Sequence, residues 1–289
     1  MKIFSLFSRP SLKPSWAFTP RGTIWRLFAA TSGELIIEAR DQDAKRTAFF
    51  ALDGDTGIPC WQDLVLDEPW WIGIEDVSGG VLLLHKFASP DMPQHQGIIA
   101  IELRTGKVLW SNNELTYWFA HENSVFAHRM MFDKRVASEL DLQTGQSIRE
   151  FGEDFESSLF HRREEAARAN QNGLQFPEMA EFEDVDPRIS GIMKRDLPTA
   201  EIQGNIEYAL INNVVLVNYY VPSRESGDEG PSLDNHFKIL DIDNKRVLFS
   251  DTIFHNARAA VPDSFFVRNG MVYYIKDQKT LTAIRLSQH

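Results

Sequence analysis

The feature that most constrains the fold is a repeated hairpin, which is clearest in residues 98–112, IIAIELRTGKVLWSN. Residues 98–103 are apolar and β-prone, residues 104–106 form a turn signal, and the chain returns as a second strand up to Trp110. A three-residue hairpin loop needs a positive φ in its last position, which glycine adopts without a steric penalty. Gly106 occupies that position, so the stretch predicts two antiparallel strands.

Weaker copies of this hairpin recur along the chain. Residues 50–57 are followed by Trp61, which lies four positions after Gly57 as Trp110 lies four positions after Gly106. Residues 137–145 keep the turn but lose the aromatic residue, and residues 239–245 are followed by Phe249, with Asn244 as the expected turn residue. The outer-strand aromatic residues are predicted to pack between neighbouring sheets.

The C-terminal copy lacks its second strand. Residues 281–286 form a first strand, and the chain then ends, whereas residues 14–18 (PSWAF) near the N-terminus resemble the missing return strand. Closed β-propellers often complete one blade with both chain ends, because this removes an open sheet edge. We therefore expect residues 15–18 to form the outer strand of the last blade.

A longer spacing supports a propeller. Trp25, Trp71 and Trp118 follow one another at intervals of 46 and 47 residues, and a four-stranded blade takes roughly 40–50 residues. The prediction is an all-β fold: a β-propeller of about five four-stranded blades, closed by an N-terminal strand, in a single domain over residues 1–289.

The repeat also resembles a known family. AIELRTGKVLW and ALDGDTGIPCW are similar to the repeats of pyrroloquinoline-quinone-type propellers, which include quinoprotein dehydrogenases and non-enzymatic scaffold proteins. The likeness covers roughly residues 45–150, and the whole chain also resembles an uncharacterised family of bacterial proteins. The resemblance implies blade architecture and a bacterial source. It does not imply quinoprotein activity, because those enzymes use an adjacent cysteine pair and this chain has Cys60 alone.

One segment, residues 152–204, interrupts the repeat. Phe155, Leu159 and Phe160 give a partial apolar stripe at helical spacing, which predicts a helix over residues 155–171. The residues that follow are acidic and irregular. We interpret the segment as an insertion with one helix; the alternative is a degenerate sixth blade.

Bulk composition restricts the partners. The net charge is −11, which disfavours nucleic acid and anionic membranes, because phosphate groups are bound chiefly by lysine and arginine. The sequence contains no run of about 20 apolar residues, so it predicts no membrane span. The single cysteine suits a reducing compartment, and the N-terminal apolar run is too short for a secretory signal. We therefore predict a cytoplasmic protein.

Candidate site residues are few. Trp25, Trp71 and Trp118 would share one position in successive blades and could form a ligand-binding aromatic ring at the channel mouth; the alternative is packing between blades. His121, Glu122 and His128 are the densest set of catalytic residue types, but no catalytic or metal-binding motif is present. We predict no catalytic residue, no metal and no cofactor. Residues 89–96, which carry His95, are expected to form a hairpin tip.

These observations favour a non-enzymatic interaction or scaffold module. The partner would be a protein, bound through one propeller face or through residues 152–204. The alternative is a binder or hydrolase of a carbohydrate-like ligand at the channel mouth, which would use the three tryptophans and nearby acids. The sequence leaves the oligomeric state open.

Overall fold

The computed structural model describes residues 12–89, 92–132, 134–152, 155–170, 173–224 and 232–286. They form mainly antiparallel β-sheet and fall into two compact units. We call residues 20–173 the middle unit, and residues 1–19 together with 174–289 the terminal unit. The single domain expected over residues 1–289 stays a prediction. None of the helices in the described residues has both the length and the apolar character of a membrane span.

The N-terminal strand β1 (Trp16–Phe18) belongs to the terminal unit. The middle unit follows it and contains three four-stranded sheets, in each of which the strands pair in chain order. Sheet 1 contains β2 (Thr23–Ala29), β3 (Glu34–Asp41), β4 (Arg46–Asp53) and β5 (Pro59–Leu64). Sheet 2 contains β6 (Ile72–Ser78), β7 (Val81–Ser89), β8 (Met92–Glu102) and β9 (Val108–Asn112). Sheet 3 contains β10 (Thr116–His121), β11 (Ser124–Met131), β12 (Lys134–Asp141) and β13 (Ser147–Phe151), and helix α1 (Phe155–Asn170) comes after it.

Consecutive sheets of the middle unit share apolar cores. Side chains alternate between the two faces of a strand, and β7 shows the result: Leu82 and Leu84 pack in the core that includes sheet 1, whereas Val81 and Leu83 pack in the core that includes sheet 3. A strand buried on both faces must be apolar throughout, which explains the run of residues 81–84.

Two tryptophans join consecutive sheets. The indole Nε1 of Trp61 donates to the carbonyl oxygen of Leu103 at 2.7 Å, and Nε1 of Trp110 donates to that of Leu142 at 2.9 Å. A Cβ atom at the hairpin glycine of the next sheet would lie 3.1 Å from the Trp61 ring at Gly106 and 2.5 Å from the Trp110 ring at Gly145. The predicted packing of these outer-strand aromatics between sheets is confirmed.

The hairpin loops are one residue longer than expected. Glu102 N bonds to Lys107 O at 2.8 Å, so four residues lie between the paired positions, and Gly106 has φ +72° as predicted. In the copy near residue 241, Lys245 rather than Asn244 has the positive φ, at 49°. An acidic residue precedes each of these hairpin turns and accepts local hydrogen bonds; these hairpin acids are Asp53, Glu102, Asp141 and Asp241. Asp53 Oδ1, for example, accepts from the amide of Thr56 at 2.8 Å.

The terminal unit contains two sheets and a second helix. Sheet 4 has five strands, β14 (Glu178–Ala180), β15 (Ile206–Ile211), β16 (Val214–Pro222), β17 (Leu233–Asp241) and β18 (Arg246–Ala257), and helix α2 (Pro187–Asp196) precedes β15. Sheet 5 has the order β1, β21 (Thr280–Arg285), β20 (Met271–Lys276) and β19 (Phe265–Arg268). The predicted pairing of the chain ends is present, with Trp16 opposite Ala283.

The segment predicted as an insertion is mainly helical in its described residues. Helix α1 packs through Phe155 and Leu159 against the aromatic core of sheet 3. Helix α2, which we did not predict, packs through Ile189 and Met193 against sheet 4. Residues 155–170 and 173–204 contribute only one short strand, β14, to a sheet, so they do not form a sixth four-stranded sheet.

Candidate functional sites

The first strands of sheets 1, 2 and 3 each contain a β-bulge at an equivalent place. In β2 the register steps from Ile24 to Arg26, which makes Trp25 the extra residue. The same step makes Glu75 the extra residue in β6 and Trp118 the extra residue in β10. The structural equivalent of Trp25 and Trp118 is therefore Glu75, not Trp71, and the equal tryptophan spacing was a misleading guide to register.

The three predicted tryptophans have different surroundings. Trp25 is 56% exposed and lies under the Arg40 guanidinium, 5.4 Å from the ring centroid. Trp71 precedes β6 and contacts the rings of Trp70 and Phe87 edge-on. Trp118 contacts Phe155 of α1 edge-on, with centroids 5.2 Å apart. Within the described residues no ring contact joins any two of the three, and their role in ligand binding stays a prediction.

Two histidines and an acid meet in sheet 2. Glu75 lies on the β6 bulge, His85 on β7 and His95 on β8, and each offers a ligand atom within 4.8 Å of the others. His95 Nδ1 lies 2.6 Å from Glu75 Oε1. The imidazole rings of His85 and His95 stack, with centroids 3.5 Å apart and planes 9° from parallel.

His85 is 1% exposed, and its Nε2 atom is buried without a hydrogen-bond partner among the residues that the structure describes. Its Nδ1 atom lies 3.4 Å from the carbonyl oxygen of Lys86. Gly73 is the cross-strand partner of His85, and a Cβ atom there would lie 2.8 Å from Nε2, so the glycine makes room for the ring. Burial and the neighbouring His95 lower the pKa of His85 to about 3, which leaves the imidazole neutral at pH 7.

Charged groups from sheet 1 surround this cluster. Glu38 is fully buried, accepts from the Ile74 amide at 2.9 Å and pairs with Arg40 at 2.7 Å. Arg40 also donates to Ile72 O at 2.8 Å, and Arg26 donates to Ile74 O at 2.5 Å. These bonds anchor β6 on sheet 1 and hold the bulge. Burial raises the pKa of Glu75, against the lowering effect of His95.

Sequence reasoning missed this cluster because it placed His95 in a loop. In the structure β8 begins at Met92, and His95 pairs with Phe87 across the hairpin; residues 90 and 91 of the expected loop lie outside the described residues. The available signal was a histidine on each arm of one hairpin. The histidines of the other predicted set, His121 and His128, are separated from each other. His121 pairs with Ser124, whereas His128 lies opposite Thr116.

The terminal unit has a cleft of about 1030 Å³. Its floor is one face of sheet 4, where alternate residues of three adjacent strands point the same way. The floor residues are Tyr219 and Val221 on β16, Asp234, His236 and Lys238 on β17, and Ser250 and Thr252 on β18. The lining also includes Asp196, Glu201, Arg224 and His255.

Lys238 is a partly buried cation on the floor of this cleft. Its Nζ atom donates to the carbonyl oxygen of Asp196 at 2.7 Å and lies 5.8 Å from the centroid of the Tyr219 ring. It forms no ion pair with a carboxylate of the described residues within 4.0 Å. Burial lowers the pKa of Lys238, and burial raises the pKa of Tyr219 to about 12.

The remaining polar groups of the floor are mostly paired. His236 Nδ1 lies 3.2 Å from Thr252 Oγ1, and His255 Nδ1 lies 3.4 Å from Asp234 Oδ1. A signal for this cleft was present in β17, where Asp234, His236 and Lys238 are polar on one face and Phe237 and Ile239 are fully buried on the other.

Comparisons with known proteins match one family model to part of this chain and align solved structures with it at low sequence identity. The model of a domain of unknown function, DUF4905, matches residues 29–110, and the search of curated proteins gave no match. Among solved structures, BamB from Moraxella catarrhalis aligns over 96% of this chain and 98% of its own, with 9% identity and a TM-score of 0.28. The β-propeller domain of the Trilobed protease from Pyrococcus furiosus aligns over 89% of this chain and 64% of its own, with 10% identity and a TM-score of 0.32.

Proposed function

We propose that the protein is a non-enzymatic binding module of the β-propeller class, which holds a carboxylate-bearing segment of a protein partner in the cleft of the terminal unit. The observation that carries this proposal is the Lys238 ammonium on the cleft floor. It is partly buried, its pKa is lowered, and its hydrogen-bond partner is a neutral carbonyl group.

A partly desolvated ammonium that is hydrogen-bonded to a carbonyl group, with the Asp196 charge acting on it from farther away, is costly, and a bound carboxylate would offset that cost. Charge-assisted hydrogen bonds to a carboxylate are roughly twice as strong as neutral ones. Ser250 lies directly opposite Lys238 on β18, and its hydroxyl group is a second donor beside the same point of the floor. Lys238 and Ser250 would therefore hold the two oxygens of one carboxylate.

The size of the cleft favours a peptide segment over a small metabolite. Pockets for drug-sized ligands measure about 300–1,000 Å³ and enclose most of the ligand, whereas this cleft measures about 1030 Å³ and is open to solvent. Tyr219 and Val221, which are almost fully buried, give the floor an apolar part beside Lys238. Such a surface suits an acidic side chain with an adjacent apolar residue.

The propeller class is supported by the repeated four-stranded sheets, by the tryptophan contacts between consecutive sheets, and by the pairing of β1 with β21. The proposal includes the closure of the sheets into about five blades, which are built from repeats of the pyrroloquinoline-quinone type. The proposal also includes a cytoplasmic location in a bacterial cell, which fits the single cysteine. It includes a role apart from nucleic acids and membranes, which fits the net charge of −11.

The test is a binding assay with matched peptides. Fluorescent peptides that carry one Glu or Asp are compared with versions that carry Gln or Asn, and fluorescence polarisation measures their affinity for the full chain. We expect the full chain to prefer the acidic peptides and Lys238→Met to remove that preference, with a loss of about 10-fold or more for a charge-assisted bond.

The matched control is Lys194→Met, which removes an exposed lysine of α2 outside the cleft lining. It should bind like the wild type. Equal affinity of the wild-type chain for the acidic and neutral peptides would refute the proposal. An undiminished acidic preference in a folded Lys238→Met variant would refute it as well.

A further inference from the structure

The cluster in sheet 2 contains a polar atom that the described protein does not satisfy. His85 is buried, its Nδ1 atom lies near the Lys86 carbonyl oxygen, and its Nε2 atom has no hydrogen-bond partner. Leaving a buried polar group without a partner is costly. Such a group in a native protein requires an explanation, and a bound ion is one explanation. An imidazole nitrogen with a free lone pair is also the commonest metal ligand in proteins.

Two further ligand groups lie beside His85. Glu75 and His95 place a carboxylate oxygen and an imidazole nitrogen within 4.8 Å of it and of each other. All three groups are carried by strands of one sheet, and the bulge at Glu75 directs this side chain to the cluster. Sites built on strands hold their ligands more precisely than sites built on loops.

We propose that Glu75, His85 and His95 bind one divalent transition-metal ion of the zinc class. Two imidazoles and one carboxylate match the donor set that Zn²⁺ takes in sites with three protein ligands, which keep a fourth position for water or for another group. This donor set disfavours Ca²⁺ and Mg²⁺, which prefer all-oxygen ligands.

The local charges are compatible with a cation. Two arginines, Arg26 and Arg40, face this region, but three carboxylates, Glu38, Glu75 and Asp76, accompany them. Arg40 is paired with Glu38 and with the Ile72 carbonyl oxygen. One carboxylate charge thus remains in excess, and the metal would neutralise it.

Metal binding requires one movement. A metal ion lies in the plane of each imidazole that binds it, whereas His85 and His95 are stacked. His95 must therefore turn out of the stack. It can do so because it is 29% exposed, whereas His85 is enclosed between Gly73 and the neighbouring strands. The site lies wholly in the middle unit, and it is independent of the peptide proposal.

The experiment uses Zn²⁺ alone as the probe. The full chain is stripped with a chelator and titrated with zinc in competition with a chromophoric indicator. A parallel titration with Co²⁺, read by its visible absorption, reports the coordination geometry. We expect one ion per chain, and an affinity about 10-fold or more weaker in each of Glu75→Gln, His85→Gln and His95→Gln.

His161→Gln, which changes an exposed histidine of α1, is the control and should bind zinc like the wild type. Because His85→Gln alters a buried residue and could fail to fold, the variants at the partly exposed His95 and Glu75 keep the test decisive. The proposal is wrong if the wild-type chain takes up no zinc, or if Glu75→Gln and His95→Gln bind it with unchanged affinity.

Discussion

At the scale of single residues, small side chains determine where large polar ones can lie. Gly73 leaves the space into which the His85 ring fits, and the bulge residue Glu75 completes the cluster beside it. Both features depend on the strand register, and the register is not visible in residue types alone. A glycine in a strand signals a close approach, but it does not name the approaching side chain.

The acidic residues of the hairpin turns, of which Asp141 is one, show how a single side chain stabilises a turn. Asp141 Oδ1 accepts from the amides of Gln143 and Thr144, at 3.1 and 2.8 Å, and from the Thr144 hydroxyl at 2.7 Å. The Thr144 hydroxyl and amide hold the pKa of Asp141 below its usual value. A carboxylate with a lowered folded-state pKa stabilises the fold above its unfolded pKa, and this contribution is lost as the pH falls through the folded pKa.

We therefore predict that Asp141→Asn destabilises the chain at pH 7 and that the difference from the wild type shrinks at acidic pH. At acidic pH, protonation removes the negative charge of Asp141. Because Asn has no charge at any pH, the wild type and the variant then differ less in stability. Urea unfolding at pH 7 and at about pH 3, below the ordinary Asp value of about 3.9, measures this. Glu164→Gln on the exposed face of α1 is the control. A difference that stays constant with pH would contradict the prediction.

At the scale of elements, the three sheets of the middle unit share a bulged first strand, and the outer strands of sheets 1 and 2 contact the following sheet. The tryptophan contacts link consecutive sheets at the outer strand by a specific hydrogen bond. Trp61 and Trp110 each donate to a hairpin carbonyl oxygen of the following sheet. Their ring faces are covered by the glycines of the same hairpins.

Trp110→Phe should remove the bond to Leu142 and keep most of the ring contact. We expect a loss of about 0.5–1.5 kcal/mol in the free energy of unfolding, the usual contribution of one hydrogen bond, measured by urea denaturation. Trp25→Phe is the matched control, since Trp25 is exposed and its indole nitrogen has no hydrogen-bond partner among the described residues. An equal loss in the two variants would show that ring size, not the hydrogen bond, matters.

At the scale of the whole molecule, the chain ends meet in one sheet. Strand β1 pairs with β21, with Trp16 opposite Ala283 and Phe18 opposite Leu281, and Ser15 N donates to Ala283 O at 2.8 Å. Without β1, strand β21 would be an open edge of sheet 5. An exposed edge has unpaired amides and carbonyls and is a site for fraying or association.

A chain that lacks residues 1–18 should therefore show faster amide exchange in β21. Hydrogen-exchange mass spectrometry of peptides covering Thr280–Arg285 measures this, with β4 in the middle unit as an internal reference. The expected change is a loss of protection at the amides that face β1. Unchanged exchange in β21 would mean that β1 contributes nothing to the order of this sheet.

The sequence by itself determined the β-hairpin repeat, the turn glycines, the outer-strand tryptophans and the pairing of residues 15–18 with the C-terminal strand. These features follow from short-range rules, because turn geometry and strand periodicity are encoded within a few residues. Helix α1 was also predictable, from its apolar spacing.

Only the tertiary structure decided which residues form the candidate sites. The bulge in each first strand marks the equivalent position, and in sheet 2 that position is occupied by Glu75 rather than Trp71. The approach of His95 to His85, and of Lys238 to Tyr219 and Asp196, depends on hairpin and sheet-to-helix packing over distances that no local pattern encodes. A repeat thus specifies the scaffold, and the departures from the repeat specify the chemistry.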